Sequence, residues 1–119
     1  MATLYVGRNN GIRNRLEYSK DGGKTYTPFN LSAPTVTSLR LVIYASSPGS
    51  PVLDRDAKGD EADEFDLSEG AQGIVEWNPG DGVITPEMAG TYNSRWILVD
   101  TDNWPQGLVI EGESVTIKQ

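Results

Sequence analysis

Eight carboxylates fall between residues 54 and 69: Asp54, Asp56, Asp60, Glu61, Asp63, Glu64, Asp66 and Glu69, with only Arg55 and Lys58 among them. Closely spaced oxygen ligands are what a hard cation such as calcium needs, and Asp54-x-Asp56-x-Lys58-Gly59 opens with the spacing of a calcium loop. The pattern then fails. Lys58 puts a cation at the fifth ligand position, and Phe65 stands at the twelfth, where a bidentate carboxylate belongs. Another oxygen cage, from Asp54, Asp56, Asp60 and Glu61, is the one metal site these residues offer. The preferred reading is a solvated acidic loop at about 54–64 with no metal, mobile over Arg55 to Asp63.

Other chemistry is narrowly bounded. The 119 residues include no histidine and no cysteine, which excludes Ser-His-Asp and Cys-His catalysis, thiolate zinc sites and disulfides. Carboxylate, lysine or tyrosine chemistry remains. Glu76 and Asp100 lie on or beside extended segments and form the candidate pair for glycosidase-type acid–base work, a weak reading because strand carboxylates are usually just solvated. Trp77, Trp96 and Trp104 could stack a sugar. Trp104, in Asp102-Asn103-Trp104-Pro105-Gln106-Gly107, is the most exposed candidate of the three, although packing in the core or at a corner is the preferred reading. The sequence therefore predicts no enzyme and no cofactor.

A formal net charge of -7 argues against nonspecific attraction to nucleic-acid phosphates. Met1-Ala2-Thr3-Leu4 does not begin a secretory leader, and runs such as Leu41-Val42-Ile43-Tyr44-Ala45 are far short of the roughly 20 residues that cross a bilayer. Neither nucleic acid nor membrane is an expected partner. Charge is unevenly spread: Arg8, Arg13, Arg15, Lys20 and Lys24 against Glu17 and Asp21 leave residues 1–27 basic, opposite in sign to residues 54–69. Two such patches permit head-to-tail contacts between copies.

The elements that must position these residues are strands. Gly90 to Asp100 is the organising one, with Tyr92, Ser94, Trp96 and Leu98 on the face turned to a second layer and partners expected on both sides. Thr35 to Ala45 is the other long strand, with a phase break between Val36 and Leu39. Shorter pieces are Leu4–Val6, Ile12–Tyr18, Thr25–Phe29, Val52–Asp54, Gly73–Trp77 and Val83–Thr85, and Gly107–Glu111 with Ser114–Lys118 reads as a terminal hairpin. Turns at Asn9-Asn10-Gly11 and Ser46 to Pro51 separate them. Helix is limited to single turns around Pro86–Ala89 or in the acidic segment. This pattern predicts one all-β domain over 1–119, an antiparallel sandwich with Greek-key wiring and little helix.

Ser19-Lys20-Asp21-Gly22-Gly23-Lys24-Thr25-Tyr26 resembles the Asp-box of sialidases and other repeat-built β proteins. The resemblance implies a hairpin in which Asp21 accepts backbone hydrogen bonds, Gly22 and Gly23 supply positive φ, and the closing aromatic packs back. It implies no glycosidase. Ala89-Gly90-Thr91-Tyr92 resembles the tyrosine corner of immunoglobulin-like domains, with Tyr92 bonding back to the preceding turn and Trp96 in the core. Thr35–Leu53 and Gly73–Ile110 together resemble the small immunoglobulin-like β-sandwich domains of tail and baseplate proteins of tailed bacteriophages. Val-Thr-Ser-Leu-Arg-Leu-Val-Ile, Pro-Val-Leu-Asp, Gly-Ile-Val-Glu-Trp, Gly-Thr-Tyr and the Asp-x-Asp turn before Trp-Pro-Gln-Gly-Leu carry it. Membership implies a non-enzymatic virion structural or accessory protein, in the virion or host cytoplasm, assembling with other virion proteins or copies of itself. Contact candidates are Arg8, Arg13, Arg15, Asp60, Glu61 and Trp104. The alternative function is a carbohydrate- or ligand-binding sandwich using Trp104, Asp102 and Asn103.

Overall fold

Segments of β-branched and aromatic residues cut short by Gly, Pro and Asn/Asp clusters have little choice but to pair as strands. The computed structural model describes residues 2–7, 11–45, 51–80 and 82–119. Its strands in chain order are β1 (Ala2–Tyr5), β2 (Ile12–Arg15), β3 (Glu17–Tyr18), β4 (Thr27–Pro28), β5 (Val36–Tyr44), β6 (Pro51–Asp56), β7 (Phe65–Asp66), β8 (Ile74–Trp77), β9 (Gly90–Asp100), β10 (Trp104–Glu111) and β11 (Val115–Lys118). Among the described residues, helix is confined to 3-10 turns at Ala62–Glu64, Gly70–Gln72 and Pro86–Met88, and no helix is long and apolar enough to cross a membrane. The protein is all-β.

Strand β9 holds the larger sheet together. One of its edges pairs with β5 from Asn93 to Asp100. Its other edge is divided, with β11 on Gly90–Tyr92 and β10 on Arg95–Asp100. Beyond β5 lies β6, and beyond β11 lies β1. The residues that alternate inward along β9, Ser94, Trp96, Leu98 and Asp100, are all buried. Opposite them sit Leu39, Leu41 and Ile43 of β5, equally buried.

A three-stranded sheet, β2-β8-β7, covers that inward face. Its contribution to the core is Ile12, Val75 and Trp77. Trp96 joins the layers directly: its Nε1 donates to Asn14 Oδ1 at 2.9 Å, and its ring meets Phe65 edge-on at 6.1 Å. A buried indole N–H needs such a partner. Trp77 finds its own in Glu64 Oε1, 2.9 Å away.

Several expectations need correction. Ile12–Tyr18 is two strands, because Leu16 bonds outward on both sides, its N–H to Gly73 O at 2.7 Å and its C=O to Phe29 N at 3.0 Å. The break lets the chain leave the small sheet and pair β3 with β4. β10 and β11 do not form a hairpin; each pairs with its own length of β9. The sheet is also not purely antiparallel, since β1 runs parallel to β11 and sets Leu4 opposite Ile117, both buried. Strand β6 continues to Asp56, so the acidic loop starts only at Ala57, whose N–H is bonded to Leu39 O at 2.8 Å. The phase break in β5 is a bulge between Val36 and Ser38. Val83–Thr85 is not a strand. The turn at Asn9-Asn10 and the segment Ser46–Ser50 lie outside the described residues.

Candidate functional site: the cleft at Trp104

Two loops build the wall of the main cleft. The first is the Asp-box loop between β3 and β4. Asp21 Oδ1 accepts from Ser19 Oγ (2.8 Å), Lys24 N (3.1 Å) and Thr25 N (3.0 Å), and Oδ2 accepts from Thr25 Oγ1 (2.6 Å). Gly23 N–H donates to Ser19 Oγ at 2.8 Å, and Gly22 and Gly23 take φ of 75° and 95°, where a side chain would be strained. Hydrogen bonds from Thr25, first its hydroxyl and then its N–H, lower the Asp21 pKa to about 2. Tyr26 departs from the expected packing: its hydroxyl lies over Gly23, but the residue is 61% exposed.

The second loop joins β9 to β10. Asp100 is buried at the end of β9 and accepts from Asp102 N (3.0 Å) and Asn103 N (3.4 Å) on Oδ1, and from Asn103 Nδ2 (3.2 Å) on Oδ2. Burial pushes its pKa up, but the bonds from Asn103, Asp102 and Thr35 outweigh that and hold it below the ordinary carboxylate value. Thr101 N–H donates to Thr35 O at 2.9 Å. The turn is thereby fixed, and it sets Trp104 against the hairpin.

Trp104, Tyr18 and Phe29 form a three-ring cluster, with Tyr18–Phe29 centroids 4.8 Å apart, Phe29–Trp104 5.2 Å and Tyr18–Trp104 6.2 Å. Phe29 is buried behind the other two, which are half-buried. Between the loops opens a cleft of about 460 Å³ lined by Tyr18, Ser19, Lys20, Asn103, Trp104 and Leu108. A recess of about 230 Å³ shares Tyr18, Asn103 and Trp104 and reaches Asn30, Thr35 and Asp100. Sequence reasoning found Trp104 and Asn103 but not Tyr18, Phe29 or Lys20. The signal it passed over is that Tyr18 opens the Asp-box loop, so the hairpin must carry it wherever the loop docks. Asp102 is not in either lining.

The remaining candidates lie elsewhere. Arg13 pairs with Glu69 at 2.7 Å and Glu76 at 3.8 Å, and Arg15 with Glu17 at 3.7 Å. The basic and acidic blocks therefore meet within one chain. Arg8 lies outside the described residues. Asp54 receives Arg40 through Nε (3.0 Å) and Nη2. Asp56 accepts from Leu39 N (3.1 Å) and Lys58 N (2.9 Å) on Oδ1 and from Ser38 Oγ (2.8 Å) on Oδ2, while Glu61 Oε1 takes Asp56 N–H at 3.1 Å. Asp54, Asp56 and Glu61 thus serve the fold rather than a common cage with Asp60, and no group of three or more metal-ligating residues occurs among the described residues. Glu76 sits in the small sheet beside Arg13, and Asp100 accepts on both oxygens from its own turn. Trp77 and Trp96 are fully buried. Tyr92 is a tyrosine corner: its hydroxyl donates to Met88 O at 2.7 Å.

A second surface was not anticipated from the sequence. On the face of the larger sheet turned away from β2-β8-β7, register sets Val109 beside Ile97, and Ile97 beside Arg40. Val109 is 49% exposed. Ion pairs flank it, Arg40–Asp54 on one side and Arg95–Glu111 at 3.5 Å on the other. Among the described residues β10 pairs only with β9, so its other edge carries no strand.

No protein-family model matches the chain, and a search of curated proteins finds no relative.

Proposed function

We propose that this chain is a non-enzymatic structural or accessory protein of a tailed-phage or prophage virion that works by protein–protein assembly. One observation carries the reading: a half-exposed Val109 sits on an edge strand that has no outer neighbour among the described residues, beside Ile97, with charges on either side. An unpaired edge next to apolar surface is a template for contact with another chain, and a hydrophobic centre with a polar rim is how interfaces are composed. The virion setting rests on the resemblance of Thr35–Leu53 and Gly73–Ile110 to tail and baseplate domains. An immunoglobulin-like Greek-key sandwich belongs to the same reading. The Tyr92–Met88 bond and the two facing sheets support it, and the parallel β1–β11 pair is its main departure.

Sedimentation across a concentration series tests the assembly surface. The expected result is reversible self-association, or binding to a purified virion protein, that Val109→Lys removes without lowering Tm. A chain that neither self-associates nor binds particles in either form would overturn the proposal.

A further inference from the structure

We infer that the cleft between the Asp-box hairpin and the β9–β10 turn is a binding site for an oligosaccharide carrying an acidic sugar, a uronic acid residue for example. This goes beyond the assembly reading and is independent of it.

The wall is aromatic, rigid and partly wet. Tyr18 and Trp104 both pack on buried Phe29, and the loops that carry them are each closed by a carboxylate, Asp21 in one and Asp100 in the other, which reduces the ordering cost that a ligand would otherwise meet. Aromatic rings with one apolar face and a wet rim suit the C–H face of a pyranose. The volume of about 460 Å³ lies within the roughly 300–1,000 Å³ of small-molecule sites. The adjoining recess of about 230 Å³ extends the cleft toward Thr35 and Asn30, giving a second sugar unit hydroxyl-compatible surroundings.

Polar groups are few and placed. Asn103 donates one amide N–H to Asp100, which fixes the side chain and leaves its carbonyl oxygen and second N–H for a ligand hydroxyl. The adjoining recess ends at the Asp100 carboxylate, but in the cleft itself, among the described residues, Lys20 is the only charged one. It makes no ion pair with a described residue, and its Nζ stands 5.6 Å from the Tyr18 ring centroid. The nearest carboxylate of its own loop, Asp21, has both oxygens committed to Ser19, Lys24 and Thr25. A sugar carboxylate would therefore meet an ammonium that is positioned by cation–π contact but not neutralised.

Tryptophan fluorescence reads the site cleanly, because Trp77 and Trp96 are 0% exposed and only Trp104 borders the cleft. Titration with trigalacturonic acid is expected to give a saturable change, with affinity about tenfold above that for neutral maltotriose, the worth of one charge-assisted hydrogen bond. Trp104→Ala removes the reporter together with the ring, so it is read by titration calorimetry, where it should abolish binding of both trimers. Since that variant can also disturb the corner, Lys20→Gln on the exposed loop provides the second arm: it should keep Tm and bring the acidic trimer down to the neutral one. No saturable change with either trimer at millimolar concentration, equal affinity for both in the parent protein, or an acidic preference that survives Lys20→Gln would each overturn the inference.

Discussion

Asp21 and Asp56 each accept hydrogen bonds on both carboxylate oxygens, yet the donors to Asp21 lie within four residues of it, whereas Asp56 reaches Ser38, eighteen residues away. The first is a self-contained device that a hairpin can carry anywhere. The second ties the end of β6 back to the bulged start of β5, so its hydrogen bonds exist only once the sheet has formed. A local network stabilises its own loop, while a distant one couples a loop to the core. Removing the second should therefore cost more global stability than removing the first.

The largest expected effect is at Asp56. Asp56→Ala strands the N–H of buried Leu39 and frees the Ala57–Glu61 turn, and should cost about 3 kcal/mol in urea unfolding; a loss no greater than that of an exposed residue would erase the distinction drawn above. Tyr92→Phe removes one bond to Met88 O and should cost about 1 kcal/mol, with unchanged near-ultraviolet circular dichroism showing that the corner still packs. Asp21 is read through pH. Its folded pKa, about 2 against 3.8 for the free group, is depressed, so its contribution is complete above pH 3.8, and is lost as pH falls through about 2. Asp21→Asn should flatten that acid limb of the Tm–pH curve without altering the slope of urea unfolding. The smallest effect belongs to Arg13–Glu69, an exposed pair worth about 0.5 kcal/mol in a double-mutant cycle despite spanning 56 residues, because sequence distance matters only where water is excluded.

The same contrast explains what could be read from the chain. Gly90–Asp100 was legible to the residue, since alternation and flanking turns are properties of neighbouring positions, and so were the Asp-box bonds and the direction of the Tyr92 hydroxyl. The single turn at Pro86 was also visible. Partners far along the chain were not. Nothing near Leu16 announces that its N–H goes to Gly73 and its carbonyl to Phe29, and nothing in the Gly107–Lys118 run shows that β9 is long enough to take two strands end to end. The acidic run misled for a related reason: composition gives its charge, but Arg40, Leu39, Ser38 and Arg13, which hold Asp54, Asp56 and Glu69, all come from elsewhere. Half of the cleft was legible, the Asn103-Trp104 half, because a tryptophan inside a polar turn stands out. Tyr18 and Lys20 became site residues only through the docking of their hairpin.

The parallel pairing of β1 with β11 has a consequence for how the chain reaches its final form. Leu4 is made well before Ile117, so its place in the core does not exist until β11 has been synthesised. During translation that leucine has to wait in solvent or in a temporary contact, and closing this seam is necessarily a late event. Removing Val115–Lys118 should therefore loosen β1, releasing Ala2–Tyr5 to proteases while β5 and β9 remain paired.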